Sequence, residues 1–539
     1  MQVSRDVSRF RTAVDIIASV NALFVPLAFL LNDPSRFYFV LDSRTQGRHV
    51  SAVVVEMCLL CIILYASGRS SLWGRWKQLD VPMFLAASIA GWTVLGVLFP
   101  VSMNRLHLHI VLLWLLGWVC FGLGWVVFPE LKSIVRTSMY MFLVSTCVVG
   151  IRGMVRLATA NSQPRNIALA GGLFSEARLG NMVPKGNRLA GKSAARSKII
   201  WIIFDELDQN LTFEALPSSI QLPAFQQVAN ESLMCESAVP SSYRTLSAIP
   251  SMLTGRLLST GEAIQSRGQT PHSTMFWGTF PNLFSEFHLL GRETAVLGWY
   301  HPYCSVLGDS VDHCYSVLDR IDPYAVAAPV LELGKFDFTQ IVRQLPALRA
   351  LRRLWKIEMG EDVSQRELHR ERIDLINAQL EKFLNFQSDL LVLHLPLPHL
   401  PGIGPAGSGD YFDNLVLTDR ILANIRATLE KSNSWESVMV LVTGDHHFRL
   451  QYWTDTLEAG KLSERVLTAS RSEDSFRVAC LLKFPGQKRP ERLSAPFNMV
   501  LLHDMVRGVA AGSIQTAADG RLWLERNRSR YPIIHPLVE

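Results

Sequence analysis

Apolar and polar positions divide this chain near residue 155. Before that point, apolar runs at 13–31, 52–66, 81–99, 109–128 and 137–151 are separated by short polar, often basic, loops. About 20 apolar residues span a bilayer, so the pattern predicts a bundle of about five transmembrane helices over 1–155. The fifth run is short and boxed between Arg136 and Arg152. Residues 156–196 are rich in Gly, Ala, Ser, Asn, Lys and Arg, contain Pro164 and Pro184, and keep no period. They read as a basic linker beside lipid headgroups. After it, short β-branched and aliphatic runs at 198–204, 293–299, 390–395, 438–443 and 478–484 alternate with helical patterns at 282–291, 415–429 and 498–511. That alternation predicts an α/β domain over 197–539, with a mainly parallel central sheet sandwiched by helices. A largely helical insertion, carrying several arginines, is expected over about 331–386.

Composition supports two halves. The mean hydropathy is +0.18, and only 19% of the 539 residues are charged. The excess of apolar residues lies in the first third. The net charge of +6, without a basic helix or repeat that reads bases, gives no nucleic-acid signal. Lysines and arginines favour one set of loops: Arg5, Arg9, Arg11, Arg69, Arg75, Lys77, Lys132 and Arg136. This bias predicts a cytoplasmic N-terminus. Five crossings then place the α/β domain on the periplasmic or extracellular side of an inner or plasma membrane. Cys304 and Cys314, ten residues apart around Gly308, could close a short disulfide suited to an oxidising exterior. Cys235 and Cys480 read as buried thiols.

The candidate chemistry sits at strand ends. The run 438–443 stops at Gly444 and is followed by Asp445, His446 and His447; the run 198–204 is followed by Asp205, Glu206 and Asp208. Open α/β sheets keep their ligand sites at the carboxyl ends of strands. Asp and His are oxygen and nitrogen ligands for a divalent cation. Between these strands, Ser241 to Arg256 is a hydroxyl-rich turn entering a short helix, with Thr245 five residues before Pro250.

Four stretches, in this order, resemble the alkaline phosphatase superfamily: KIIWIIFDELD, TLSAIPSMLTGR, LLVLHLPLPHLPG and VMVLVTGDHHF. The resemblance is closest to the sulfatase-like branch, and within it to membrane phosphoethanolamine and phosphoglycerol transferases. It implies Thr245 as nucleophile. Asp205, Thr245, Asp445 and His446 would be ligands of a tetrahedral zinc, with manganese or calcium as alternatives. His399 would bind the phosphoryl group, a second metal or the leaving oxygen; Glu206, His394 and His447 are possible additions, and His301 reads as structural. The pattern departs in two places. The usual D-H-G is here Asp445-His446-His447, and no histidine lies between His447 and Val478, where a second metal would expect one. The expected enzyme moves a phosphoethanolamine- or phosphoglycerol-like group from a phospholipid donor to an envelope glycan or lipid acceptor. The alternatives are a sulfatase-like hydrolase (a phosphodiesterase or sulfuric ester hydrolase) and a non-catalytic membrane scaffold.

Overall fold

The computed structural model describes residues 198–264, 277–318, 361–403, 409–455, 462–470 and 476–533, with strand segments 168–170, 173–178, 266–267 and 274–275 and five helical positions between 127 and 137. Apart from those five, the described residues belong to one compact unit, Arg165–Ile321 with Gly360–Glu539. Apart from positions 127 and 137, the expected membrane spans fall outside them. Among the described residues no helix is long and apolar enough to cross a membrane.

The strands, in chain order, are β1 (Ala168–Ala170), β2 (Leu173–Arg178), β3 (Ile199–Asp205), β4 (Leu233–Cys235), β5 (Ala238–Val239), β6 (Ser266–Arg267), β7 (Thr274–Met275), β8 (Thr294–Tyr300), β9 (His313–Leu318), β10 (Leu390–Pro398), β11 (Met439–Gly444), β12 (Cys480–Lys483), β13 (Glu491–Leu493) and β14 (Phe497–Asn498). Ten of them form one sheet in the order β1-β2-β9-β8-β10-β3-β11-β12-β4-β13. The five central strands, β9 to β11 in that order, are mutually parallel. Pairing across β11–β12 and β2–β9 is antiparallel. β1 and β2 lie within the segment expected to be linker. Their ladder uses backbone groups alone, so no hydrophobic period marks it in the sequence.

Every residue of β3, β10 and β11 is buried. This is the signature of parallel strands covered on both faces. Ile200, Ile202 and Phe204 join a core with Phe225, Ile376, Phe383, Leu415 and Leu422. The last part of the expected helical insertion, Glu361–Asn385, is a helix whose Ile373, Ile376, Phe383 and Leu384 are buried in that core. Residues 331–360 lie outside the described ones. The helix Tyr411–Lys431 starts at Asp410, whose side chain accepts from Phe412 and Asp413 N–H in a capping box.

Two features fix where the strands end. Ile199 pairs with Leu390 on one side and Met439 on the other. The neighbouring strands therefore run in step and finish together at Pro398, Asp205 and Gly444. Trp201 Nε1 donates to Thr443 Oγ1 at 2.9 Å, locking β3 to β11. A Cβ on Gly444 would lie 2.5 Å from the Leu207 carbonyl oxygen, so only glycine lets β11 pass this close to the chain leaving β3.

Candidate metal and nucleophile site

Asp205 is the last residue of β3, and Asp445 and His446 follow β11 directly. Thr245 opens the helix Thr245–Thr254. Their side chains meet, and all four are nearly or fully buried. His446 Nε2 lies 3.2 Å from Thr245 Oγ1, 3.5 Å from Asp205 Oδ1 and 3.5 Å from Asp445 Oδ2. One ligand atom from each of Asp205, Asp445 and His446 lies within 4.8 Å of the other two.

The protonation pattern follows from the partners. His446 Nδ1 is 3.0 Å from the His447 carbonyl oxygen. A carbonyl only accepts, so the proton is on Nδ1 and Nε2 turns a lone pair into the cluster. Burial, and after it the nearby Arg449 charge, hold His446 well below the usual histidine range. It is neutral, as a metal ligand must be. Asp445 Oδ1 accepts from Glu206 N–H at 3.0 Å and His446 N–H at 2.7 Å. Burial pushes Asp445 up to about 7, against the pull of those amides and the Thr245 hydroxyl. Its Oδ2 is buried and faces His446 Nε2. Two carboxylates and an imidazole lone pair thus converge on one buried point, a donor arrangement that can hold a cation. The donor set, two oxygens and one nitrogen beside a hydroxyl, fits zinc and admits manganese.

The helix start adds donors. Ser247 and Ala248 N–H return to the Arg244 carbonyl. The amides of Thr245 and Leu246 have no acceptor among the described residues, so this end of a ten-residue helix can receive anionic oxygens. His301, read from sequence as structural, is fully buried. Its Nε2 donates to the Thr245 carbonyl at 2.9 Å. Tyr300 before it adopts φ 69°, a left-handed conformation that costs a bulky residue about 1–3 kcal/mol and clusters at functional sites.

The remaining candidates have these partners. Glu206, at φ 62°, turns away from the cluster. Its carboxylate accepts from Arg449 Nε at 2.8 Å and from Trp453 Nε1 at 3.0 Å, so it serves as an anchor for Arg449. His447 contributes its carbonyl to His446, and its ring lies against Tyr243 and Phe476. His394 Nδ1 bonds the Tyr303 hydroxyl at 2.8 Å; Gly298, where a Cβ would lie 2.4 Å from the Tyr303 ring, makes room for that contact. The His399 amide donates to the Asp205 carbonyl at 3.1 Å. Its ring packs against Trp453, Trp299 and His369. Cys304 and Cys314 are joined in a disulfide, while Cys235 and Cys480 are free and buried. Sequence reasoning gave no role to Arg449 or Trp453. Their only signal is position, three and seven residues after His446.

No protein-family model matches the chain, and no curated protein matches it. Among solved structures, the chain is similar to Ps i-CgsB, crystallised in complex with k-i-k-neocarrahexaose, at 16% identity and a TM-score of 0.41, covering 61% of this chain and 75% of that one. It is similar to the PsFucS1 sulfatase from Pseudoalteromonas sp. at 14% identity and a TM-score of 0.38, over 58% and 68%. The phosphonate monoester hydrolase of Agrobacterium radiobacter matches at 11% identity and a TM-score of 0.33, over 59% and 74%. These are likenesses of outline, and the functional reading below rests on the geometry of the site.

Proposed function

We propose that this protein is a metal-dependent phosphotransferase acting through Thr245. The observation that carries the reading is the meeting of the Thr245 hydroxyl with Asp205, Asp445 and His446 at the start of a helix. Asp205, Asp445 and His446 would hold a divalent cation, zinc in the first instance. When bound, that cation supplies charge that makes the Thr245 hydroxyl more acidic and stabilises anionic oxygens. Thr245 Oγ1 attacks the phosphorus of a phosphodiester. The bond from phosphorus to the leaving alcohol breaks, the hydroxyl proton ends on that alcohol, and phospho-Thr245 remains. The amides of Thr245 and Leu246 stabilise the phosphoryl oxygens during attack. An acceptor alcohol then attacks phosphorus and releases the Thr245 hydroxyl. His301 holds the nucleophile's backbone throughout.

The preceding apolar runs support a membrane-anchored enzyme on the outer face of an inner or plasma membrane. Its donor would be a phospholipid and its acceptor an envelope glycan or lipid. A hydrolase, with water as acceptor, uses the same first step. A formylglycine sulfatase does not fit, because the β-methyl of Thr245 prevents oxidation to an aldehyde.

The test is intact mass of the full chain in detergent after incubation with phospholipid and zinc, beside Thr245→Ala. A phosphoryl-containing adduct confined to Thr245 is expected, absent from the alanine form. No adduct across donors and metals, with no metal bound, would sink the reading.

A further inference from the structure

Asp205 and Asp445 reach the cluster from two separate turns, and one side chain touches both. Asp205 ends β3 and is followed by Glu206 at φ 62°. A non-glycine residue stays in this left-handed region only where its surroundings fix it. The Glu206 amide donates to Asp445 Oδ1 at 3.0 Å, so the pose of the first turn orients a ligand of the second. Tyr411, the first residue of the helix Tyr411–Lys431, is fully buried against these turns. Its hydroxyl donates to the Glu206 carbonyl at 2.7 Å and accepts from Asp208 N–H at 3.1 Å. Its ring centroid lies 4.8 Å from that of Phe448. Phe448 follows the ligands of the second turn, and its amide donates to Asp208 Oδ2 at 3.1 Å. Tyr411 thus meets the first turn through its hydroxyl and the second through its ring. The helix start that carries it is itself held: Asp410 accepts from Arg465 Nε at 2.6 Å and Nη2 at 2.7 Å, and from Ser463.

We propose, resting on the metal-dependent function above, that Tyr411 is a positioning residue of the cation site. It holds the turn after β3 against the turn after β11, so that Asp205 and Asp445 aim at one point. Without the hydroxyl, the Glu206 carbonyl and the Asp208 amide lose a buried partner. The left-handed turn then relaxes, and the Glu206 amide leaves Asp445 Oδ1. Partners that orient a ligand are worth about 10–100-fold in metal affinity. A phenol that only satisfied two buried backbone groups would act differently: its loss would lower stability and leave metal affinity as it was.

The experiment is zinc titration of the full chain in detergent against a competing chelator, with thermal melting of the zinc-free protein beside it. Tyr411→Phe keeps the ring on Phe448 and removes only the hydroxyl. Thr418→Val, on the same helix, is the control: it removes a buried hydroxyl that bonds the Asn414 carbonyl at 2.7 Å. Tyr411→Phe should weaken zinc binding by roughly tenfold or more, while Thr418→Val keeps wild-type affinity. Wild-type affinity in Tyr411→Phe, whatever its melting midpoint, overturns the inference. So does an equal loss of affinity in both variants; either result leaves the metal reading standing. If Tyr411→Phe does not fold, hydrogen exchange of the wild-type chain decides. Zinc should slow exchange at the Glu206 and Asp208 amides, and unchanged exchange at both overturns the inference. A wild-type chain that binds neither zinc nor another divalent cation overturns the proposed function, and this inference with it.

Discussion

Gly444→Ala tests whether the closeness of β3 and β11 holds the metal ligands in place. The new Cβ would sit 2.5 Å from the Leu207 carbonyl oxygen, whereas ordinary contact begins at 3.4 Å. One strand must therefore move by about 0.9 Å, the difference between those two distances. Neither colliding atom can rotate away, since one is backbone and the other is fixed to it. Gly444 N–H bonds Ala479 at 3.0 Å and Asp445 N–H bonds Phe204 at 3.2 Å, so relief pulls on both ladders. Overpacking of this kind costs about 1–3 kcal/mol, which lowers a thermal midpoint by roughly 2–6 °C. The larger effect should be on metal. Ligand distances tolerate about 0.2 Å, and Asp445 is the residue directly attached to the displaced one. Zinc titration of the purified chain should show a loss of affinity of roughly tenfold or more, in the range seen when ligand support is lost. Wild-type zinc affinity together with an unchanged melting midpoint would refute the reasoning that Gly444 sets the spacing of Asp205 and Asp445.

Three further outcomes follow from the same geometry. Thr245→Ser should keep the covalent adduct and Thr245→Ala should lose it, read by mass; adduct in both would place the nucleophile elsewhere. His301→Phe removes the donor to the Thr245 carbonyl at similar ring size, and should lower the rate of adduct formation by roughly tenfold while leaving zinc stoichiometry intact; an unchanged rate assigns His301 to packing alone. Asp410 bears on acid stability. Burial raises it, but the bonds from Arg465 and Ser463 outweigh that and hold it below the usual carboxylate range. A depressed folded-state value stabilises above the unfolded value of about 4 and is lost as pH falls through the folded one. Arg465→Ala should therefore cost about 1 kcal/mol at neutral pH, discounted for the 40% exposure of Arg465. The difference from wild type should vanish in strongly acidic buffer, and a difference that persists there, read by denaturant midpoints, would contradict the assignment.

The sequence by itself determined the long central strands and the residues at their ends that could do chemistry. The buried strands are legible because a parallel strand covered on both faces must be apolar throughout, and its end is marked by the first residue that needs water or a ligand. That is why Asp205 and Asp445 could be picked out locally, and why the expected strands at 198–204, 390–395 and 438–443 agree with β3, β10 and β11. Helix ends were legible for the same local reason, as at Asn282, which caps the helix Leu283–Leu289. The resemblance added Thr245, whose local sequence shows only a turn entering a helix.

Tertiary structure decided which of these residues meet. Thr245 and His446 are 201 positions apart, and no period in the chain encodes their 3.2 Å contact. Whether a polar side chain beside the site is ligand, anchor or scaffold depends on where the backbone aims it. Glu206 stands next to Asp205, yet its left-handed φ turns it to Arg449, 243 residues on. His399 follows β10 as expected, and only the fold sets its ring among Trp299, His369 and Trp453. His301 looked structural, and the fold sets it on the nucleophile's carbonyl. The free energies that choose among such contacts belong to desolvation and to partners supplied by distant strands, which a reading along the chain does not contain.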